Sequence, residues 1–333
     1  MNILSSTQIA ISWGIFAMKT LTAIAVSASL FAVGITHANV GNRLWVASYG
    51  DDNSPTCSFT APCLSFFHAA SIAPAGSEIS CIDSVPAGGV IITKSMTINC
   101  EGQLAGNAVK TNPAAVGTVS IATSPTDIVV LRGLQLNFLD FGSGINFNAS
   151  GTLILDKVHI GGANASGIMF QPNAPAKLIV TDSVIDSSGT GTTGAAIRVV
   201  PSGTGSAQVT LDRVRAVGNV FGIALDGTGS TSGINATIRD SVAASNTQDG
   251  IIAISASGKA PIGVLVTNSA SINNQFGIRS IGPGVTVRTE ASRIAGNGTG
   301  LAVSGGGVLL SAGNNTVEAN AANGAFTGSF AFK

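Results

Sequence analysis

The chain has 333 residues with 16 basic and 16 acidic side chains, so its formal net charge is zero. This balance offers no electrostatic basis for binding nucleic acid or anionic lipid, and we expect no nucleic-acid partner. Charged residues make up only 10% of the chain, whereas 45% are apolar and 42 are glycine, which predicts a β-rich fold with many turns rather than a disordered chain.

The segment 1–38 has the pattern of a signal peptide. Met18 and Lys19 precede the apolar run LTAIAVSASLFAVGI, and small residues follow up to Ala38. We predict cleavage after Ala38 and a secreted or periplasmic protein, with an uncleaved membrane anchor as the alternative. Either Met1 or Met18 can serve as the start. No later apolar run is long enough to span a membrane.

Four cysteines follow early in the mature chain, at Cys57, Cys63, Cys81 and Cys100. An exported protein meets an oxidising compartment, so we predict disulfides that join Cys57 to Cys63 and Cys81 to Cys100. A zinc site is the alternative, but the CxxC spacing and a nearby histidine pair are both missing.

From Gly144 onward the sequence repeats at nearly regular intervals, which is typical of solenoid proteins. A strand-like run ends in Asp or Asn at five evenly spaced anchors: Asp156, Asp182, Asp212, Asp240 and Asn268. We interpret these anchors as one position of successive repeats, a strand-to-turn junction where Asp and Asn bond local backbone amides. About ten residues after each anchor a small residue precedes Ile or Leu, as at Gly222 and Gly250.

Within each repeat, apolar residues alternate with polar ones, as Ile223 and Leu225 do, so each strand has one buried and one exposed face. Helical patterns are missing, and so are the motifs of propellers, calcium-binding rolls and hexapeptide helices. Three short strands per repeat predict an all-β, right-handed parallel β-helix over 76–333, with roughly ten coils of about 26 residues stacked at about 4.8 Å.

Together with the segment that precedes it, this pattern resembles the pectate-lyase-like right-handed parallel β-helix superfamily. Secreted members of that family open with a strand, a glycine- and aspartate-containing loop and a short capping helix. Here 39–75 would form that cap, with a strand at 45–48, the loop GDDNSP at 50–55, and a helix at 64–72. Thr56 stands where the family loop usually has glycine. The same alignment places Ile79 over Ile98, and Cys81 over Cys100.

The resemblance implies a fold that hosts lyases, hydrolases, esterases, tailspikes and adhesins, so it does not decide the activity. A hydrolase needs paired carboxylates, and family hydrolases carry nearby histidine and Arg-Ile-Lys segments. The mature chain has only His68, in the predicted cap helix, and His159, which would point out of a strand. Structural roles for both are favoured, and Arg293-Ile294-Ala295 lacks the lysine.

A calcium-dependent lyase needs carboxylates that converge on one ion and a basic side chain that removes a proton. Asp182, Asp186 and Arg215 are the weak catalytic candidates, because Asp186 and Arg215 depart from the repeat. Asp51 and Asp52 in the cap loop are weak candidates for a calcium site, with a solvated turn as the favoured interpretation. No other cofactor is expected.

We therefore predict an exported, monomeric β-helix that acts as a scaffold or binding protein without assigned activity, with polysaccharide or a cell-envelope component as its expected partner. A divergent polysaccharide lyase or glycoside hydrolase is the alternative. Beyond the cap no Trp or Tyr is present to form an aromatic sugar platform.

Overall fold

The computed structural model describes residues 42–85, 89–103, 118–137 and 142–331. These residues belong to one unit, His37–Lys333. The predicted signal peptide at 1–38 lies outside the described residues, so it stays a prediction.

Short strands separated by tight turns make up almost all of the regular structure in the described ranges. In chain order the elements are β1 (Arg43–Val46), α1 (Phe66–Ile72), β2 (Ser77–Cys81), β3 (Val90–Ile92), β4 (Met96–Asn99), β5 (Val119–Ile121), β6 (Ile128–Arg132), β7 (Gln135–Asn137), β8 (Ile145–Phe147), β9 (Gly151–Asp156), β10 (His159–Gly161), β11 (Ser166–Phe170), β12 (Ala176–Thr181), β13 (Val184–Asp186), β14 (Ala195–Val199), β15 (Ala207–Asp212), β16 (Arg215–Val217), β17 (Phe221–Asp226), β18 (Ile234–Arg239), β19 (Val242–Ala244), β20 (Asp249–Ile254), β21 (Ile262–Thr267), β22 (Ala270–Ile272), β23 (Phe276–Ile281), β24 (Val285–Glu290), β25 (Arg293–Ala295), β26 (Thr299–Ser304), β27 (Val308–Ser311), β28 (Thr316–Glu318) and β29 (Gly328–Ser329).

The strands form three parallel sheets, and each full coil contributes one strand to each sheet. Sheet 1 has twelve strands in the order β1-β2-β4-β6-β9-β12-β15-β18-β21-β24-β27-β29, sheet 2 has eight from β7 to β28, and sheet 3 has nine from β3 to β26. The predicted all-β parallel β-helix with a short capping helix is thereby confirmed.

The coil count is lower than the sequence predicted. Eight strands in sheet 2 correspond to about eight full turns among the described residues, against the roughly ten expected. The difference lies at the start of the β-helix, where sheet 1 already has β2, β4 and β6 but the described strands of sheet 2 begin only at β7. The length of individual coils varies. Ile98 pairs with Leu131 and Leu178 pairs with Val209, so both coils exceed the predicted period, whereas the coil from Val264 to its partner Val287 is shorter.

The core consists of columns of like residues that stack from coil to coil. Leu153, Leu178 and Val209 occupy paired positions on three neighbouring strands of sheet 1, and all three are buried. The residues next to them along each strand point outward. In sheet 3 the rings of Phe147 and Phe170 stack with centroids 4.5 Å apart. Each buried aliphatic side chain contributes about 1.5–3 kcal/mol through its removal from water.

A buried asparagine ladder holds the turn between sheets 2 and 3. The Oδ1 of Asn246 accepts the backbone N–H of Asn219 at 3.0 Å, and Asn274 repeats this bond to Asn246 at 3.0 Å. Each amide nitrogen also donates to a carbonyl of an earlier coil, as Asn246 Nδ2 does to Ala216 at 3.2 Å. The ladder therefore satisfies backbone groups that have no access to water.

The turn between sheets 1 and 2 corrects the predicted phase of the repeat. Asp182, Asp240 and Asn268 follow their strands and adopt left-handed conformations, with φ between 46° and 51°. Asp156 and Asp212 lie one position earlier, at the last residue of their strands, where both pair with Thr181. The prediction of a single position was wrong because the buried aliphatic residue before the turn sets the register, and the aspartate occurs at either of the two positions after it.

The cap agrees closely with its predicted form, although its strand starts earlier than expected, at Arg43. Helix α1 begins after Ser65, whose hydroxyl accepts the backbone N–H of His68 at 3.1 Å. Disulfides join Cys57 to Cys63 and Cys81 to Cys100, with Cα atoms 4.8 and 4.9 Å apart. Ile79 pairs with Ile98 as predicted.

Candidate functional site

Asp182, the first predicted catalytic residue, is occupied by an ion pair. Its carboxylate accepts Nε of Arg213 at 2.6 Å and Nη2 at 2.8 Å, a bidentate arrangement between neighbouring coils. This hydrogen bonding from Arg213 lowers the pKa of Asp182, which keeps it charged. A carboxylate held in this way stabilises the turn and is poorly placed to exchange protons with a substrate.

The same turn carries a ladder of alternating charges along the coil axis. Arg213 Nη1 also bonds Asp212 at 2.9 Å, and Arg239 Nη2 bonds the same carboxylate oxygen at 2.6 Å. Further along, Arg132 bonds Asp156 at 2.9 Å. Because the arginines Arg213 and Arg239 are about half exposed, each pair is worth at most about 1 kcal/mol. The ladder neutralises the charges of a stacked fold.

Asp186 and Arg215, the other two candidates, lie on the outer face of sheet 2 and do not meet. Asp186 pairs along the sheet with Val217, and its carboxylate is 2.6 Å from Nε2 of His159. Arg215 lies between Val184 and Val242 and is exposed, with no ion pair in the described part of the chain. The three candidates therefore share a region of the surface but do not converge on one point.

A groove of about 440 Å³ runs beside this region, and we call it the corner groove. Its polar lining includes Glu101, Gln135, Lys157, His159 and Asp182. Lys157 is engaged by Glu101. The contact of His159 with Asp186 was missed from the sequence, although their separation of 27 residues is close to one coil.

A second and larger groove, of about 600 Å³, crosses the outer face of sheet 1. We call it the sheet-1 groove. Its polar lining comes from neighbouring strands: Gln208 and Thr210 on β15, Asn235 and Thr237 on β18, Arg288 and Glu290 on β24. Gly263 follows Asn235 along the sheet, and the Asn235 side chain lies against it, since a Cβ at position 263 would be 3.2 Å from the Asn235 Oδ1.

The sheet-1 groove is lined by one cation and one carboxylate, Arg288 and Glu290. Arg288 has no ion pair among the residues that the structure describes, whereas Glu290 accepts the hydroxyl of Thr267 at 2.6 Å. This surface was not predicted from the sequence. Its signal was present in the alternation of QVT and NAT, in which polar residues flank a buried one.

The cap carboxylates predicted as metal ligands bond the cap itself. Asp52 Oδ1 accepts the backbone N–H groups of Leu64 and Ser65, both at 2.9 Å, and thereby holds the start of α1. Asp51 accepts from the backbone and side chain of Asn53 at 2.9 and 2.8 Å. Calcium binding in this loop stays a prediction.

The alternative of a zinc site at the cysteines is wrong, because both disulfides remove the thiolates that would bind the ion. His68, which lies beside the Cys57–Cys63 bridge, instead places Nε2 3.0 Å from the carbonyl oxygen of Ser54.

One further charged group is buried in sheet 3. Asp249 has no exposed surface and is engaged by Arg279, whose guanidinium carbon lies 4.4 Å from the ring centroid of Phe276. Asp249 Oδ1 and Arg279 Nε have no hydrogen-bond partner in the described ranges. Burial raises the pKa of Asp249 to about 6, against the opposing charge and hydrogen bond of Arg279.

The chain matches no protein-family model and no curated protein. Among solved structures it is similar to the one titled "Crystal structure of pectate lyase Pel9A", with 16% identity, coverage of 82% of this chain and 69% of that chain, and a TM-score of 0.49. The fold is a parallel β-helix built on three sheets. No helix in the described ranges is long and apolar enough to cross a membrane.

Proposed function

We propose that the chain is an exported β-helix that binds polysaccharide without cleaving it, and that the sheet-1 groove is its contact surface. The observation that carries this proposal is the outward lining of that groove, where amide and hydroxyl groups repeat on β15 and β18 and a guanidinium follows on β24. Gln208, Thr210, Asn235 and Thr237 have no side-chain hydrogen bond within the described part of the protein. These groups are therefore available to the hydroxyls of a sugar chain.

The preferred ligand is a polysaccharide that carries carboxylates. Arg288 supplies the groove with a guanidinium that has no ion pair in the described ranges, and a guanidinium matches a carboxylate through two parallel hydrogen bonds. Coils stacked at about 4.8 Å present these groups at regular intervals along an extended chain.

Binding rather than turnover is supported by the arrangement of the predicted catalytic residues. Asp182 is engaged by Arg213 and Asp186 by His159. Glycoside hydrolysis requires two carboxyl groups on either side of the scissile bond, and a lyase requires a base beside the substrate carboxylate. Neither arrangement arises from Asp182, Asp186 and Arg215, since the two carboxylates are held by different partners and Arg215 contacts neither of them.

The alternative, a divergent polysaccharide lyase or glycoside hydrolase, is favoured by one observation. His159 is a side chain suited to acid–base chemistry, it borders the corner groove, and Asp186 fixes its Nε2 at 2.6 Å. An enzyme of this kind would place its substrate in the corner groove rather than in the sheet-1 groove.

Affinity measurements on the full chain with polygalacturonate and with neutral dextran test the proposal. Arg288→Ala is expected to lower the affinity for polygalacturonate roughly tenfold or more, since a hydrogen bond to a charged group contributes about 1.5–3 kcal/mol. Arg293→Ala is the matched control, because it removes an exposed charge of the same type, ion-paired with Glu318, from sheet 2.

Product analysis in the same samples distinguishes the alternative. Release of oligosaccharides that disappears in His159→Ala or Asp186→Ala would establish the enzyme and overturn the proposal. Equal affinity of the wild type and Arg288→Ala would instead remove the sheet-1 groove as the contact surface.

A further inference from the structure

Three potential ligand atoms converge over Gly161 on the outer face of sheet 2. Gly161 pairs with Asn137 on one neighbouring strand and with Asp186 on the other, and His159 lies on the same face of its own strand. A Cβ built on Gly161 would lie 3.2 Å from Asp186 Oδ1, 3.4 Å from Asn137 Oδ1 and 3.8 Å from His159 Nε2. One nitrogen and two oxygens from three successive coils thus lie above Gly161, within 3.8 Å of the position that a Cβ would take.

We propose that His159, Asp186 and Asn137 form a binding site for a divalent transition-metal ion of the zinc type. An imidazole nitrogen beside a carboxylate selects zinc, nickel or copper over magnesium, which prefers oxygen ligands alone. His159 Nε2 and Asp186 Oδ2 are 2.6 Å apart, a hydrogen-bond distance, and a separation of about 3.0–3.4 Å would let both bind one ion at ordinary bond lengths of about 2.0–2.2 Å.

Because position 161 has no side chain, the side chains of His159, Asp186 and Asn137 can lie over it. The column of sheet 2 that contains Gly161 continues with Val217 and Ala244, whose side chains fill the equivalent space in later coils. Among the described strands β7 to β19, Gly161 is the one glycine of this column that lies between an amide and a carboxylate. A metal ion would therefore bind at this part of the column. His159 and Asp186 are about one-third exposed, which leaves room for water to complete the coordination.

The pairing of Asp186 sets this cluster apart from the charge ladder of the neighbouring turn. There, Asp182 and Asp212 are met by arginine, a permanent cation that cannot bind a metal. Asp186 is met by an imidazole, which in its neutral form is the commonest metal ligand of proteins. The corner groove opens beside His159 and gives an ion and its waters a path to the site.

Calorimetric titration of ZnCl₂ into the full chain, freed of affinity tag and treated with chelator, tests the proposal, with NiCl₂ and MgCl₂ in parallel. We expect one zinc site per chain, measurable nickel binding and much weaker magnesium binding. His159→Ala and Asp186→Asn are each expected to lower zinc affinity at least about tenfold, since even an outer-shell partner of a metal is worth about 10- to 100-fold.

Gly161→Ala is the most specific variant, because it keeps all three ligands and places a methyl group at the point where they converge. Position 161 does not require a left-handed backbone, so alanine is sterically permitted once the neighbouring side chains rotate away. This variant is expected to lose zinc binding. Asp182→Asn, in the same groove but outside the cluster, and His68→Ala, in the cap, are controls that should bind zinc as the wild type does.

Two results would overturn the proposal. The first is the absence of zinc binding to the wild type, both as heat and as a rise in its thermal midpoint. The second is zinc affinity that survives in Gly161→Ala and His159→Ala. Circular dichroism of each metal-free variant verifies folding, and Gly161→Ala decides the matter if a ligand substitution destabilises the chain by itself.

Discussion

Replacement of Asp249 by asparagine is expected to change the pH dependence of stability. Asp249 has no exposed surface, and one of its oxygens has no hydrogen-bond partner among the described residues. Burial raises its pKa from 3.8 in a model compound to about 6, even though Arg279 is beside it. The folded chain therefore holds a proton in the range between these two values, where the unfolded chain has already lost it.

The sign follows from this difference in bound protons. Because the native state binds the extra proton, the free energy of unfolding falls as the pH rises through this range. The stabilisation is fully present below about pH 4 and is lost as the pH passes through about 6. Each tenfold difference in proton affinity is worth about 1.4 kcal/mol, so the full effect amounts to about 3 kcal/mol.

Urea unfolding of the wild type and Asp249→Asn, followed by circular dichroism from pH 4 to 7.5, measures the effect. Asparagine has no carboxyl proton, so contributions from all other groups cancel in the difference between the two proteins. We expect Asp249→Asn to gain about 3 kcal/mol relative to the wild type between pH 4 and 7. Glu318→Gln, which removes a carboxylate from an exposed pair with Arg293, controls for loss of charge alone.

Parallel stability curves for the wild type and Asp249→Asn over the whole pH range would refute this reasoning. They would mean that Asp249 keeps one protonation state, and that the charge of Arg279 offsets the cost of burying the carboxylate completely.

Two further predictions concern the stacking of coils. Asn246→Ala should lower the free energy of unfolding by about 2–4 kcal/mol, because it leaves a buried N–H and a buried carbonyl without partners. Thermal unfolding measures this loss, with Asn173→Ala as a control at an exposed position. A loss below about 1 kcal/mol would contradict the role of the ladder. Replacing both cysteines of the Cys81–Cys100 bridge, whose sequence separation is 19, should cost about 3 kcal/mol, against about 2 kcal/mol for the shorter Cys57–Cys63 bridge. The reverse order under non-reducing urea unfolding would count against the loop-entropy argument.

Features that depend on the buried face of the strands could be predicted from the sequence. Inward residues such as Ile223 and Leu225 alternate with outward ones, so the period of the sheets and the three-strand coil follow from hydrophobicity alone. The pairing of Ile79 with Ile98 could be predicted for the same reason, since EISC and TINC contain the same buried residues at the same spacing.

The candidate sites could not be predicted because outward side chains meet across coils of unequal length. The separation in sequence is 27 between His159 and Asp186, whereas it is 31 between Asp182 and Arg213. No hydrophobic pattern constrains these positions. The turn between sheets 1 and 2 also accepts Lys157, Asp182 and Arg213 in the same left-handed conformation, so residue type does not identify that position. Only the register of the folded strands shows which outward groups are neighbours.

This distinction also separates structural charges from those available to a ligand. In a stacked fold each outward charge lies about 4.8 Å from the next coil, where a partner of opposite charge can neutralise it. Asp182, Asp212 and Arg213 follow that rule and are accounted for by stacking. Arg288 in the sheet-1 groove departs from it, and so does the cluster over Gly161, where the partner of Asp186 is an imidazole rather than a permanent cation. Arg288 lies on sheet 1 and the cluster over Gly161 lies on sheet 2, so the two surfaces consist of different side chains. Substitutions that abolish binding at one surface should therefore leave binding at the other intact.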